Sequence, residues 1–90
     1  MVAIGGKGRG QAARVVVGTA IGMLDLSETE LWVDYANLGG EAGPELVHRM
    51  LEGLGPVRAL EYNLLALALN DRFERRWGCR PVPYSEELGG

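Results

Sequence analysis

Apolar positions in the middle of the chain recur with helical spacing, and polar residues mark where each helix starts. Ser27 and Glu30 fit a capping box, in which each side chain accepts a hydrogen bond from the other residue's amide. Leu31 opens an apolar stripe with spacings of four and three. Gly39 supplies a left-handed stop. This pattern predicts a helix over residues 28–38.

Gly-Pro pairs introduce two further helices. Pro44 suits the first position of a helix, where the backbone amide needs no partner, and Gly53 closes that segment. Pro56 opens the next segment in the same way, and a longer apolar pattern follows it. The sequence therefore predicts a short helix over 44–52 and a long one over 56–77.

The long helix carries apolar side chains on two sides. One side holds Val57, Leu60, Leu64, Leu67 and Ala68. The other side holds Tyr62, Leu65, Leu69 and Phe73, and Trp77 closes the helix. A narrow polar strip between them holds Asn63, Asn70 and Glu74. Because a helix that is apolar on two sides must be covered on two sides, it is either the central helix of the domain or covered on one face by a second molecule.

Residues 11–24 combine the composition of a strand with the spacing of a helix. Three consecutive valines favour a strand, whereas Val17 and Ala20 begin a helical repeat. We predict a helix, because no partner strand is evident elsewhere in the chain. Gly18 and Gly22 then share one helical face and leave room for another backbone to approach closely.

The two ends of the chain differ from its body. Glycines interleaved with Lys7 and Arg9 predict a flexible basic arm over 1–10. Prolines in the last segment predict an extended tail over 79–90 that can fold back onto the helical body over 11–78. The predicted fold is thus all-α: a small four-helix domain with a long central C-terminal helix, a mobile Gly-rich N-terminus and an extended Pro-containing C-terminal tail.

Composition and charge narrow the classes of function. A chain of 90 residues with 47% hydrophobic content makes one folded domain. The net charge is −3, and all twelve acidic residues lie in 25–90, so the body is acidic and disfavours nonspecific nucleic-acid binding. The single cysteine, Cys79, excludes an internal disulfide and fits a cytoplasmic location. The mostly apolar stretch of ten residues after Arg14 is too short to span a membrane, so we expect no membrane partner.

Residues able to support catalysis or metal binding are sparse. His48 is the only histidine and Cys79 the only cysteine, so no ligand cluster with metal spacing is evident. The Gly-rich start fails both phosphate-loop patterns, because Met1, Gln11 and Ala13 occupy positions that would require glycine. We therefore expect neither a cofactor nor an enzyme activity.

These observations favour protein–protein contact as the function. We expect a small non-enzymatic regulatory or adaptor protein that self-associates, or binds another protein, through one face of the long helix. On that prediction, replacing Leu69 with glutamate dissociates a homodimer. The predicted interface residues are Tyr62, Leu65, Leu69, Phe73 and Trp77.

A nucleic-acid-binding transcriptional regulator is the alternative. A group of residues within 14–24 resembles part of the ANTAR family of three-helix RNA-binding antitermination modules: Arg14, Val17, Ala20, Gly22 and Leu24. That resemblance spans 11 of 90 residues and ends at Asp25, and it implies RNA contact through Arg9, Arg14 and the first helix. Residues 44–77 also have a helix-turn-helix outline, which places Arg58 at the start of a recognition helix.

Overall fold

The computed structural model describes residues 2–54 and 58–88, the first nine of them by their backbone alone. The described residues form four helices and a short 3-10 turn, and they contain no strand. The elements are α1 (Val2–Leu24), α2 (Glu28–Asn37), α3 (Leu46–Glu52), α4 (Ala59–Trp77) and the 3-10 turn (Ser85–Leu88). The prediction of an all-α, four-helix fold is confirmed, and the ambiguous segment 11–24 is helical.

Helix α1 begins at Val2, well before the predicted start at residue 11. No proline interrupts this region, and once a helix has nucleated, each added residue contributes one hydrogen bond. Glycines weaken such a helix but keep their amide donors. The side chains of the arm predicted over 1–10 lie outside the described residues.

Helix α2 confirms the capping pattern. The Ser27 hydroxyl accepts from the Glu30 amide at 3.0 Å, and the Glu30 carboxylate accepts from the Ser27 amide at 2.9 Å. Leu26 and Leu31, which flank this box, are both buried. The helix ends at Asn37, one residue before the predicted end, and Gly39 takes a positive φ of 98°.

Helices α3 and α4 both begin later than predicted. In α3 the Gly43 carbonyl accepts from the Leu46 amide at 3.0 Å, so the chain makes a tighter turn before the helix proper. In α4 the N-cap residue Arg58 is extended, with ψ 139°, so the helix starts at Ala59 rather than at residue 56. Residues 55–57 lie outside the described residues.

Helix α4 is the central helix, as predicted. It packs against α1, α2 and the 3-10 turn, so three elements share its circumference. The buried hydrophobic residues of α4 join those of every other helix in one core. The core residues contributed by the other elements are Ala13, Val17, Ala20, Leu24, Leu26, Leu31, Tyr35, Leu46, Val47, Met50 and Val82.

The loop between α2 and α3 is fixed by two aromatic residues of α2. Trp32 Nε1 donates to the Ala42 carbonyl at 3.0 Å, and the Tyr35 hydroxyl accepts from the Ala42 amide at 2.9 Å. Gly40 lies directly against the Tyr35 ring, where an added Cβ would come within 2.3 Å of Cζ. The absence of a side chain at this glycine therefore lets the loop close over Tyr35.

Candidate interaction surfaces

Four of the five predicted interface residues lie in the core of the single chain. Tyr62, Leu65, Leu69 and Phe73 are at most 2% exposed. They face the neighbouring helices and the tail, which cover this side of α4. In this structure the chain itself buries these four side chains, so they are not accessible to a partner. Trp77 alone is accessible, with half of its surface exposed.

The opposite side of α4 is only partly covered. Leu60 is exposed near the start of the helix, Leu64 and Leu67 are half-buried, and Ala68 is buried. Val57, which was predicted to extend this side, lies outside the described residues. The two apolar sides of α4 are thus largely satisfied within one molecule.

Helix α1 also carries exposed apolar residues, and they lie together on one face. Its inward residues are buried, whereas Val15 is 60% and Met23 57% exposed. Gly18, Thr19 and Gly22 are also exposed on the outward side. A surface helix normally carries charged residues on its solvent side, yet α1 has none after Arg14. We call Val15, Gly18, Thr19, Gly22 and Met23 the outer face of α1.

No contact within the described chain explains the two glycines of this face. A Cβ added at Gly22 would meet no atom within 4 Å, and one at Gly18 would meet only Leu51 Cδ2 at an ordinary 3.6 Å. A glycine inside a helix costs about 0.5–1 kcal/mol relative to alanine. The glycines leave two exposed positions of α1 without a side chain, and their cost is not offset by a fit to the rest of the described chain.

The asparagine strip of α4 holds the C-terminal tail. Asn70 is 1% exposed; its Nδ2 donates to the Val82 carbonyl at 3.0 Å and its Oδ1 accepts from the Val82 amide at 2.8 Å. Asn63 Oδ1 accepts from the Ser85 amide at 2.8 Å. The Tyr62 hydroxyl donates to the Pro83 carbonyl at 2.7 Å.

We call Tyr62, Asn63 and Asn70 the tail clamp. Its hydrogen bonds to Val82, Pro83 and Ser85 all end on main-chain atoms of the tail. The clamp therefore explains the polar strip that the sequence places between two apolar stripes. The tail folds back onto the body, as predicted. Its last part forms a 3-10 turn rather than an extended end.

Two ion pairs hold Arg80, near the start of the tail, beside α4. Arg80 Nη1 donates to Asp71 Oδ1 at 3.2 Å and also to the Glu74 carboxylate. All three side chains are well exposed, so these ion pairs contribute little to stability. They orient the tail antiparallel to α4, which brings Val82 to the level of Asn70.

Strongly alkaline pH is expected to loosen the tail. Burial, and after it the negative charge of Glu87, raise the pKa of Tyr62 from 10.0 to about 12. The folded chain thus favours the protonated phenol, whose contribution to stability is complete below pH 10 and is lost as the pH rises through about 12. The free energy of unfolding, measured by urea denaturation across this range, should fall less steeply in Tyr62→Phe than in wild type. If the free energy of unfolding depended on pH equally in both chains, the raised pKa of Tyr62 would be contradicted.

The predicted nucleic-acid contacts lie on different parts of the fold. Arg14 is exposed on α1, Arg58 is the exposed N-cap residue of α4, and the side chain of Arg9 lies outside the described residues. Arg14 lies near Gly53, where an added Cβ would be 3.6 Å from Nη1. Their role as phosphate contacts stays a prediction.

A basic recess at the ends of α1 and α4 was not predicted. Arg72, Arg75 and Arg76 line it together with Leu24. Arg72 donates to Asp34, which raises the pKa of its guanidinium, and Arg76 donates to the Leu24 carbonyl at 3.5 Å. The Arg76 guanidinium also lies 4.6 Å from the ring centroid of Trp77. The sequence signal was the run of arginines in the last turns of α4, which also suits the negative end of a helix dipole.

The residues with catalytic or ligand chemistry stay dispersed. His48 is exposed on α3, with Nδ1 3.5 Å from the Glu28 carboxylate, and Cys79 is exposed just after α4. Over residues 2–54 and 58–88, no group of three His, Cys, Asp or Glu side chains is placed to hold a metal ion.

None of the helices in the described part of the chain combines the length and the apolar character needed to cross a membrane. Comparisons with protein-family models, with curated proteins and with solved structures find no match to this chain. The resemblance to the ANTAR family therefore gains no support from a family model, and the surfaces themselves are the basis for assigning a function.

Proposed function

We propose that this chain is a small cytoplasmic regulatory or adaptor protein that works by protein–protein contact, without enzymatic activity, and that it forms a homodimer. The proposed contact surface is the outer face of α1, in place of the buried face of α4. The observation that carries the proposal is an uncharged, largely exposed helix face that contains Val15 and Met23.

The two glycines support close packing of another helix on this face. Gly18 and Gly22 are one helical turn apart and exposed. Without side chains, they let a partner backbone approach α1 more closely than any other residue would. Close packing against a partner would offset the free-energy cost of glycine in a helix. Contacts within the described chain do not offset that cost.

The charges that flank the face favour a second copy of the chain as partner. In a symmetric dimer the same patch meets itself, so a charged patch would repel its copy. The outer face has no charge, while the exposed residues Arg14 and Asp25 lie at its two ends with opposite signs. An antiparallel pair of α1 helices would bring Arg14 of each copy toward Asp25 of the other, with Thr19 near the twofold axis.

Replacing Val15 with glutamate is expected to dissociate the dimer. The substitution would place two unpaired carboxylates in a desolvated interface, which weakens dimerisation by about 30-fold or more. Sedimentation equilibrium at micromolar concentration measures this change. Val15 is 60% exposed, so the stability of the monomer should stay within about 0.5 kcal/mol of wild type.

Val33→Glu is the matched control, since Val33 is 43% exposed on α2. It should leave the dimer intact. A wild-type chain that stays monomeric throughout, or equal dissociation by both variants, would contradict the outer face of α1 as the site of self-association.

The basic recess gives the nucleic-acid alternative a more specific location than the sequence did. Arg75 and Arg76 lie there beside Trp77, whose ring is half exposed. Two features rank it second. Arg72 and Arg76 already donate to acceptors of their own chain, and the net charge of −3 opposes binding to phosphate.

A further inference from the structure

We propose that the tail clamp is a binding site for an extended peptide of a partner protein, and that the chain's own tail occupies it as an internal ligand. The peptide would carry an arginine two residues before a valine or similar small apolar residue, with proline next. The residues of the tail that define this pattern are Arg80, Val82 and Pro83. The proposal does not depend on self-association through α1.

The hydrogen bonds of the clamp fit recognition of a peptide main chain. Asn70 bonds to both the amide and the carbonyl of Val82, which is how a neighbouring strand would pair with that residue. Tyr62 and Asn63 extend the same contact to Pro83 and Ser85. Main-chain bonds of this kind provide affinity for extended peptides, whereas side-chain pockets select among them.

Two side-chain contacts supply that selection. The Val82 side chain is 5% exposed and enters the core, so the position admits a small apolar residue. Arg80 lies between the carboxylates of Asp71 and Glu74, so a positive charge is favoured two residues earlier. Pro83 needs only its carbonyl for the bond to Tyr62, and proline favours the extended backbone of this segment.

The tail is attached so that it can leave without breaking a helix. It follows Gly78, which has a positive φ of 72° and ends α4. Gly78 and Cys79 are exposed and join the tail to the body as a short connector. When the tail leaves, both hydrogen-bonding groups of Asn70 lose the partner that they have in this structure. A second peptide main chain can replace that partner.

The chain's own tail competes with a separate peptide for the tail clamp, and this competition determines the affinity that we expect for the peptide. A tail joined by a short connector competes at an effective concentration of about 1 mM. A separate peptide should therefore bind the wild-type chain weakly, and at least about tenfold more tightly once the tail is weakened. Release of the tail would in this way open the site to a partner.

The test uses a fluorescent peptide of residues 79–88, with serine in place of cysteine, titrated into the full chain by anisotropy. Arg80→Glu weakens the attachment of the tail to the clamp, because the new carboxylate is repelled by Asp71 and Glu74. The substitution changes no residue of the core. Val82→Asp weakens it more strongly, and circular dichroism checks that both variants keep their helices. We expect saturable binding to both variants, at least about tenfold tighter than to wild type.

Asn70→Leu combined with Arg80→Glu is the matched control, since leucine keeps the size of Asn70 and removes its hydrogen bonds. This double variant should not bind the peptide. A peptide with aspartate in place of the valine should likewise not bind the Arg80→Glu chain. Absence of binding to a folded Arg80→Glu chain, or equal binding when Asn70 is replaced, would overturn the proposal. The tail would then be a purely structural part of the fold.

Discussion

Replacing Leu69 with glutamate is expected to unfold the chain rather than to dissociate a dimer. Leu69 is fully buried on α4 and belongs to the single core. The change removes a buried leucine and forces a carboxylate into a site without a partner, at a cost of more than about 5 kcal/mol. A domain of this length has a total stability of about 5–13 kcal/mol. Urea denaturation followed by circular dichroism measures the loss.

Leu60→Glu serves as the control on the same helix. Leu60 is 68% exposed, so its replacement should change the free energy of unfolding by no more than about 0.5 kcal/mol. If Leu69→Glu kept the wild-type unfolding transition and only lowered the mass of the particle, the buried face of α4 would be an interface after all, and the assignment of the core would be wrong.

Replacing Asn70 with leucine is expected to cost about 2–4 kcal/mol of stability. Leucine fills a similar volume but leaves the amide and the carbonyl of Val82 without the partners that they have in this structure. Buried main-chain groups without hydrogen bonds are costly, so the tail should detach or strain. Urea denaturation gives the stability, and hydrogen exchange at the Val82 and Ser85 amides reports the tail directly.

Asn37→Leu is the matched substitution at an exposed asparagine, the last residue of α2. It should leave both the stability and the exchange rates close to wild type. A change of less than about 0.5 kcal/mol in Asn70→Leu, with unaltered protection of Val82, would mean that the two hydrogen bonds do not hold the tail.

Local signals predicted the helices well wherever side chains next to each other in sequence decide the backbone. The start of α2 follows from Ser27 and Glu30, whose mutual hydrogen bonds need no other part of the fold. The stop of α3 at Gly53 follows from the left-handed conformation that this glycine adopts. Gly18 and Gly22 were correctly placed on one helical face, because spacing alone fixes that relation.

The sequence could not predict which faces of α4 the rest of the chain covers. The apolar circumference of α4 was evident, but whether a second molecule or the chain itself covers it depends on where α1, α2 and the tail pack. In the structure α1 and α2 pack against α4, the tail pairs with Asn70, and Leu69 lies inside one molecule. Helix spacing assigns residues to faces but does not say which face another part of the chain will reach.

The apolar surface proposed for contact thus moves from the buried side of α4 to the outer face of α1. Helix α1 places one side in the core and leaves Val15 and Met23 exposed on the other. After Arg14 the helix lacks the charged residues that normally keep an outward helix face solvated. This exposed face is the physical basis of the proposal that the protein works by contact through α1.

Cross-linking through a cysteine at position 19 tests this account most directly. Thr19→Cys and Thr29→Cys are made in a Cys79→Ser background, which removes the single native thiol, and both threonines are exposed. Treatment with a short bis-maleimide at micromolar protein should convert the Thr19→Cys chain into a covalent dimer, since position 19 lies near the proposed twofold axis. The Thr29→Cys chain on α2 should stay monomeric. Equal cross-linking of the two variants, or none in either, would contradict the pairing of α1 helices.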